Sequence, residues 1–201
     1  MVSLRILLAP LRKALAACGS SARRLIRDRG GVAAVEFALI LPLLLIVMIG
    51  TAETTSALNY KRKISQVAFS MADLVSQSSS LSSGDISDIM VAARAIMEPF
   101  PSDGLTVVIA SVSFDSNSKA SVDWSVNQTG GTPWSKGSVP PVTFPAGTAR
   151  PGTSVIIGRA SNTYIPLFAS MAQSIFPRAA EIFMEDTYFL LPRLSDKVTF
   201  N

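Results

Sequence analysis

The chain of 201 residues, 48% of them apolar, is long enough for one modest folded unit plus an anchor, but not for two independent cores. Its single cysteine, Cys18, excludes an intramolecular disulfide, and the absence of histidine removes the commonest zinc ligand and the most usual general base. The net charge of +4 is uneven: Arg5, Arg12, Lys13, Arg23, Arg24, Arg27 and Arg29 oppose only Asp28 before residue 32, and eleven bases face thirteen acids beyond it. The body therefore offers no basic face for nucleic acid.

After this basic leader, residues 1–31, the chain runs VAAVEFALILPLLLIVMIGTA over residues 32–52, with one charge, Glu36, and one proline, Pro42. Twenty-one residues at about 1.5 Å each cover a hydrocarbon core of roughly 30 Å. A buried core helix is usually shorter and amphipathic, whereas Leu39 to Ile49 is apolar on every side except for Pro42. A cleavable secretory signal starts closer to the first residue and is shorter. The string Leu15-Ala16-Ala17-Cys18 has the look of a lipidation box, but Arg12 and Lys13 interrupt the apolar stretch that such a box needs. The reading is a membrane-spanning helix. The cluster from Arg23 to Arg29 places the amino terminus in the cytoplasm and the body outside, against a weaker counter-signal from Lys61, Arg62 and Lys63.

Beyond the span, Leu58, Ile64, Val67, Met71, Leu74 and Val75 recur at helical spacing, so residues 53–77 form an amphipathic stalk helix whose later half packs on the protein's own sheet or on other stalks. The run SQSSSLSSG, residues 76–84, reads as a flexible link. Ser82 with Asp85 offers a capping box for a second helix, with Ile86, Ile89, Met90, Ala93 and Met97 on one face and Pro99 as the stop. LTVVIASVSF from Leu105 has the texture of a central buried strand. Residues 120–128 alternate with Val122, Trp124 and Val126 on one side, as in a half-exposed antiparallel strand. Residues 129–152 form a long exposed loop in which Trp134 and Phe144 are the candidate partner-contact side chains. Residues 153–159 and 182–191 read as further strands, with a short helix over 165–175 between them. The fold class is α+β: a long amino-terminal helix, a minor helix and an antiparallel sheet of about four strands within a head spanning residues 78–201.

Chemistry finds little foothold. Ser116 and Lys119 make a Ser-x-x-Lys string in what reads as a turn, where Ser and Asn serve the backbone. Glu181, Glu185 and Asp186 form an acidic group better read as a solvated face than as a calcium site. No phosphate-cradling glycine loop is present. The expectation is no catalysis, no metal, no cofactor and no small-molecule substrate.

An ionised acid inside a bilayer costs at least about 2.5 kcal/mol, so Glu36 asks for a partner or a role. Gly31 precedes Val32, Glu36 is fifth from Val32, and Phe37 opens the solid apolar run. This arrangement resembles the prepilin motif of type IV pilins and pseudopilins, and residues 27–53, RDRGGVAAVEFALILPLLLIVMIGTAE, together with KRKISQVAFSMADLVSQ downstream, resemble the TadE/TadG-like pilus assembly family of the tight-adherence system. The resemblance implies a pilin-like fold, a prepilin peptidase cutting between Gly31 and Val32, and Glu36 and Phe37 as assembly residues. It also implies other pilins or pseudopilins as partners, and the bacterial inner membrane as location. Cutting there would leave a positive amine on Val32 able to neutralise Glu36 of a neighbouring subunit. Val32 itself departs from the phenylalanine or methionine commoner at the first mature position. The competing reading is a membrane-anchored binding or sensor module acting through the loop at residues 129–152.

Overall fold

The computed structural model describes residues 30–168 and 181–201. The chain divides into two compact units between Thr51 and Ala52, and its first element, helix α1 (Gly30–Ser76), contributes to both. The leader and most of the expected helix at residues 165–175 lie outside the described residues.

In the first unit, every residue from 31 to 48 is exposed. A fully exposed run of Leu, Ile and Val is not a stable surface in water, and α1 is long and apolar enough there to cross a membrane. Pro42 lies within the run. It has no N–H to donate to the preceding turn, an omission easier to tolerate in a membrane helix than in water. Near the end of the run Thr51 donates its hydroxyl to the carbonyl of Met48 at 2.8 Å, so that polar group is satisfied within the helix.

The second unit is the α+β head. Helix α1 is followed by β1 (Ser80–Leu81), α2 (Ser83–Met97), β2 (Thr106–Phe114), β3 (Ala120–Asn127), β4 (Ser154–Tyr164), β5 (Ile182–Leu190) and β6 (Thr199–Phe200). The four longer strands make one antiparallel sheet in the order β3-β2-β4-β5, and β1 pairs with β6 in parallel. Ser82 caps α2 as its spacing predicts: its hydroxyl accepts from the amide of Asp85, whose carboxylate accepts from the amide of Ser82 at 2.8 Å. These bonds to Ser82 hold the Asp85 carboxyl below its usual range.

Two cores sandwich the sheet. On one face Tyr60, Ile64, Val67, Met71 and Val75 of α1 meet Ile86, Met90 and Met97 of α2 over Val107, Ile109, Ile156 and Ala160. The later half of α1 therefore packs on the protein's own sheet. Its buried stripe is rotated from the expected one: Leu58 and Leu74 are exposed, while Tyr60, Ala68 and Ala72 are buried. Two residues of this stripe, Ala68 and Ala72, face Gly158. A Cβ there would stand 2.8 Å from the Ala72 Cβ and would also meet the Ala68 carbonyl, so glycine opposite two alanines sets how closely helix and sheet approach. On the other sheet face Val108, Ala110, Val112, Phe114, Val155 and Ile157 pack together with Trp134, Val142 and Phe144 from the long loop.

The structure corrects three expectations here. Strand β3 is not half-exposed, because the loop covers its outer face and edge: Val122 donates to the Ser138 carbonyl at 2.9 Å and accepts from Gly137 at 2.7 Å. A register shift between Ser111 and Val112 of β2 places Asp123 as the extra residue of a bulge. Val122 therefore faces the second core while Trp124 and Val126 face the first. The link at residues 76–84 is not free either: Ser76 and Ser79 accept from Arg193 and Thr199 of the final segment, and β1 joins the small parallel pair.

If the close approach at Gly158 sets the packing, Gly158→Ala will lower head stability by about 1–3 kcal/mol, because backbone of a helix must retreat to admit the methyl. Thermal unfolding of the detergent-solubilised protein, followed by far-UV circular dichroism, checks this; an unchanged midpoint would show that the helix yields freely.

Candidate functional site

The residues expected to carry processing and assembly, Gly31, Val32, Glu36 and Phe37, lie in the first two turns of α1. Val32 and Glu36 are four apart and so share a helix face. All are exposed, and no hydrogen bond or ion pair to Glu36 exists among the described residues. Nothing packed nearby requires glycine at position 31 either: a Cβ there would meet nothing within 4 Å. The group is thus presented outward, with its chemistry unspent within the chain.

The other expected site residues are placed differently. Trp134 is 8% exposed, and its backbone is bracketed by Ser125, whose hydroxyl accepts from the Trp134 amide at 2.9 Å and donates to its carbonyl at 2.8 Å. Phe144 packs edge-to-face on Phe114 and against Phe189. Both aromatics pack on the head's own core, Trp134 within it and Phe144, half-buried, against it. Ser116 and Lys119 sit in the β2–β3 turn, where Asp115 accepts from the amides of Asn117 and Lys119 at 2.8 Å and Ser118 adopts a φ of 60°. This is turn chemistry.

The acidic group disperses into separate pairs. Glu185 binds Arg159 at 2.5 Å, Asp186 binds Lys61 at 3.5 Å and also takes the Ser65 hydroxyl, and Glu181 is exposed. No cluster of three potential metal ligands occurs among the described residues. The pairs to Asp186 and the contact of Lys61 with the Glu185 carbonyl join β5 to α1.

One acid outside the expected site has a defined task. Glu53, the first acid after the apolar run, accepts from the Phe168 amide at 2.6 Å and from the Tyr164 hydroxyl at 3.3 Å. It fastens the end of β4 to the start of the head's share of α1. Burial and, after it, the Glu53 charge push the Tyr164 phenol above its usual value; burial does the same to Tyr60, offset in part by the neighbouring Asn162 side chain. A phenol raised in the folded state stabilises fully below its unfolded value of about 10 and ceases to do so as pH rises through the raised one. No local sequence signal marks Glu53, since its partners lie more than a hundred residues away.

These features define a class: an α+β head carried on a helix whose first part is a candidate membrane span and presents an unpaired carboxylate. Residues 31–73 match the family described as TadE-like protein. The matched stretch takes in Val32, Glu36 and Phe37 as well as the head-packed turns up to Asp73. No curated protein and no solved structure matches the chain.

Glu53→Gln will move the Tyr164 ionisation part of the way back toward the ordinary phenol value, since the charge is lost and the burial remains. The Phe168 amide will exchange with solvent faster. Ultraviolet difference titration and hydrogen exchange by mass spectrometry read the two effects; an unaltered titration would deny the Glu53–Tyr164 coupling.

Proposed function

We propose that this protein is a minor pilin, or pseudopilin, of a tight-adherence type pilus: a structural and assembly subunit without catalytic activity. It is held in the bacterial inner membrane with its amino terminus cytoplasmic and its head outside. The observation that carries the reading is the TadE-like match over residues 31–73, in which a glycine, a lone intramembrane acid and an apolar helix fall in pilin order.

The structure supports the reading through what it leaves unused. Packing within the described chain gives no reason for glycine at position 31, so the small residue is free to serve recognition of the Gly31–Val32 bond by a membrane peptidase. Glu36 lacks a described partner, and an acid in hydrocarbon is costly unless something neutralises it. In a filament the new amine of Val32 on one subunit would meet Glu36 on the next, pairing two charges that are each unfavourable alone. Exposed Val35, Phe37, Leu39 and Leu43 would then pack against neighbouring helices as the subunits associate.

Amino-terminal sequencing of the membrane-extracted protein, with and without a co-expressed prepilin peptidase, tests the processing step. The expected chain begins at Val32 when the peptidase is present; one that begins at Met1 in both cases would refute cleavage. Independently, Glu36→Ala will leave membrane insertion intact and reduce co-purification with the other pilins by at least roughly ten-fold, the loss of one buried charge pair. Undiminished co-purification would mean that Glu36 reaches water on its own.

A further inference from the structure

Two open strand edges of the head border one groove. Strand β6 spends one side on β1: the Thr199 amide donates to the Ser79 carbonyl at 3.1 Å and the Asn201 amide to the Leu81 carbonyl at 2.9 Å. Successive residues of a strand aim their backbone groups at opposite edges, so the N–H and C=O of Phe200 point away from β1. No hydrogen bond to either group exists among the described residues. The side they face is that of β3, because the Trp124 indole N–H reaches the carbonyl of Val198, two residues back, at 2.8 Å. On β3 the long loop pairs with the outer edge at Val122 and at Asn127, whose amide donates to the Gly131 carbonyl at 3.0 Å. Between them the backbone of residues 123–126 has no loop backbone partner.

The groove between these edges has a volume of about 470 Å³ and is lined by Trp124, Ser125, Thr132, Lys136, Lys197 and Phe200. Trp124 and Phe200 meet ring to ring at 5.5 Å and give it an apolar patch. Its charge is unbalanced. Asp123, also on its wall, spends its carboxylate inside the head, on Lys197 and on the hydroxyls of Ser113 and Ser111. Lys136 is exposed, and no ion pair or hydrogen bond to it exists among the described residues. The groove thus joins a strand edge, an aromatic patch and one uncompensated cation. When a peptide adds to a sheet edge, main-chain bonds give it its hold and the surrounding side chains give selectivity.

We propose that this groove takes an extended, acid-bearing segment of another polypeptide, which adds as a strand along β6. It exchanges hydrogen bonds with the N–H and C=O of Phe200 and sets its carboxylate on Lys136. The open edges select an extended segment over a helix, and the positive balance selects an acidic one over a neutral or basic one. The inference concerns the head alone and does not rest on the pilin reading.

The peptide TVEVT, blocked at both ends, is titrated into the full-length protein in dodecyl maltoside micelles, and calorimetry reads the binding. Saturable binding is expected, weakened roughly five- to ten-fold by Lys136→Ala or by the neutral peptide TVQVT, and roughly ten-fold or more by methylation of the peptide's backbone nitrogens. Lys119→Ala, which removes an exposed cation from the β2–β3 turn, is expected to leave it unchanged. In protein carrying isotope-labelled phenylalanine, the Phe200 amide resonance is expected to shift and to exchange with water more slowly once TVEVT is bound. That readout uses the unaltered side chains, so a misfolded variant cannot decide the outcome. No response in either measurement up to about 1 mM peptide would overturn the site. Binding that leaves the Phe200 amide unmoved, or that survives backbone methylation, would overturn the strand addition. Equal loss with Lys119→Ala would mean general attraction between charges and overturn the role of Lys136. Slower Phe200 exchange on raising the protein concentration without peptide would assign the groove to a second copy of the chain and overturn the acidic partner.

Discussion

The head depends on one close approach. Gly158 of the sheet faces Ala68 and Ala72 of α1, and the absence of a side chain at 158 lets the helix backbone come down onto the strand. On the same side of the helix Tyr60, Ile64, Val67, Met71 and Val75 are buried, while Leu58 and Leu74 face out. Once the helix is seated, α2 closes the same core and the loop at residues 129–152 closes the other. A sheet buried on both faces can afford the continuous apolar texture of β2, with its two alternating residue sets assigned to two different cores.

Polar contacts lock what the apolar contacts position. Lys61 with Asp186, Arg193 with Asp73 and Lys197 with Asp123 each join segments far apart in sequence. Exposed pairs of this kind contribute little each, about 0–1 kcal/mol, so they fix register more than they add stability. The buried indole N–H of Trp124, donated to the Val198 carbonyl at 2.8 Å, and the Ser154 hydroxyl, donated to Asp196 at 2.6 Å, hold the final segment more firmly, because leaving either group unpaired would carry a desolvation cost.

Legibility followed the range of the interaction. The capping box at Ser82, the buried face of α2, the central strand at Leu105 and the apolar run are local patterns, and each has its counterpart in the structure. What escaped was set at a distance. A bulge at Asp123 reverses Val122 relative to Trp124, yet the alternation looks regular in the sequence. The loop at residues 129–152 is rich in Gly, Pro and Thr, which reads as exposure, but its Trp134 and Phe144 are the lid of a core. Nothing around Glu53 in the sequence signals its role, because its partners lie more than a hundred residues further along the chain. The proposed processing and assembly residues Gly31, Val32, Glu36 and Phe37 form a pattern that is local for the opposite reason: it is contained within seven consecutive residues.

The meeting of Gly158 with Ala68 also sets an order in time. Positions 68 and 158 are separated by most of the head, and a contact of that span must wait for the intervening chain before its loop-closure cost is repaid. During synthesis the apolar run emerges early, ready for the membrane, whereas the stripe from Ile64 to Val75 is covered in stages, first by α2 and β2 and completely only once β4 has been made. The same helix therefore carries two apolar surfaces with different schedules, one claimed by lipid at once and one that stays vulnerable to the wrong partner until the sheet arrives.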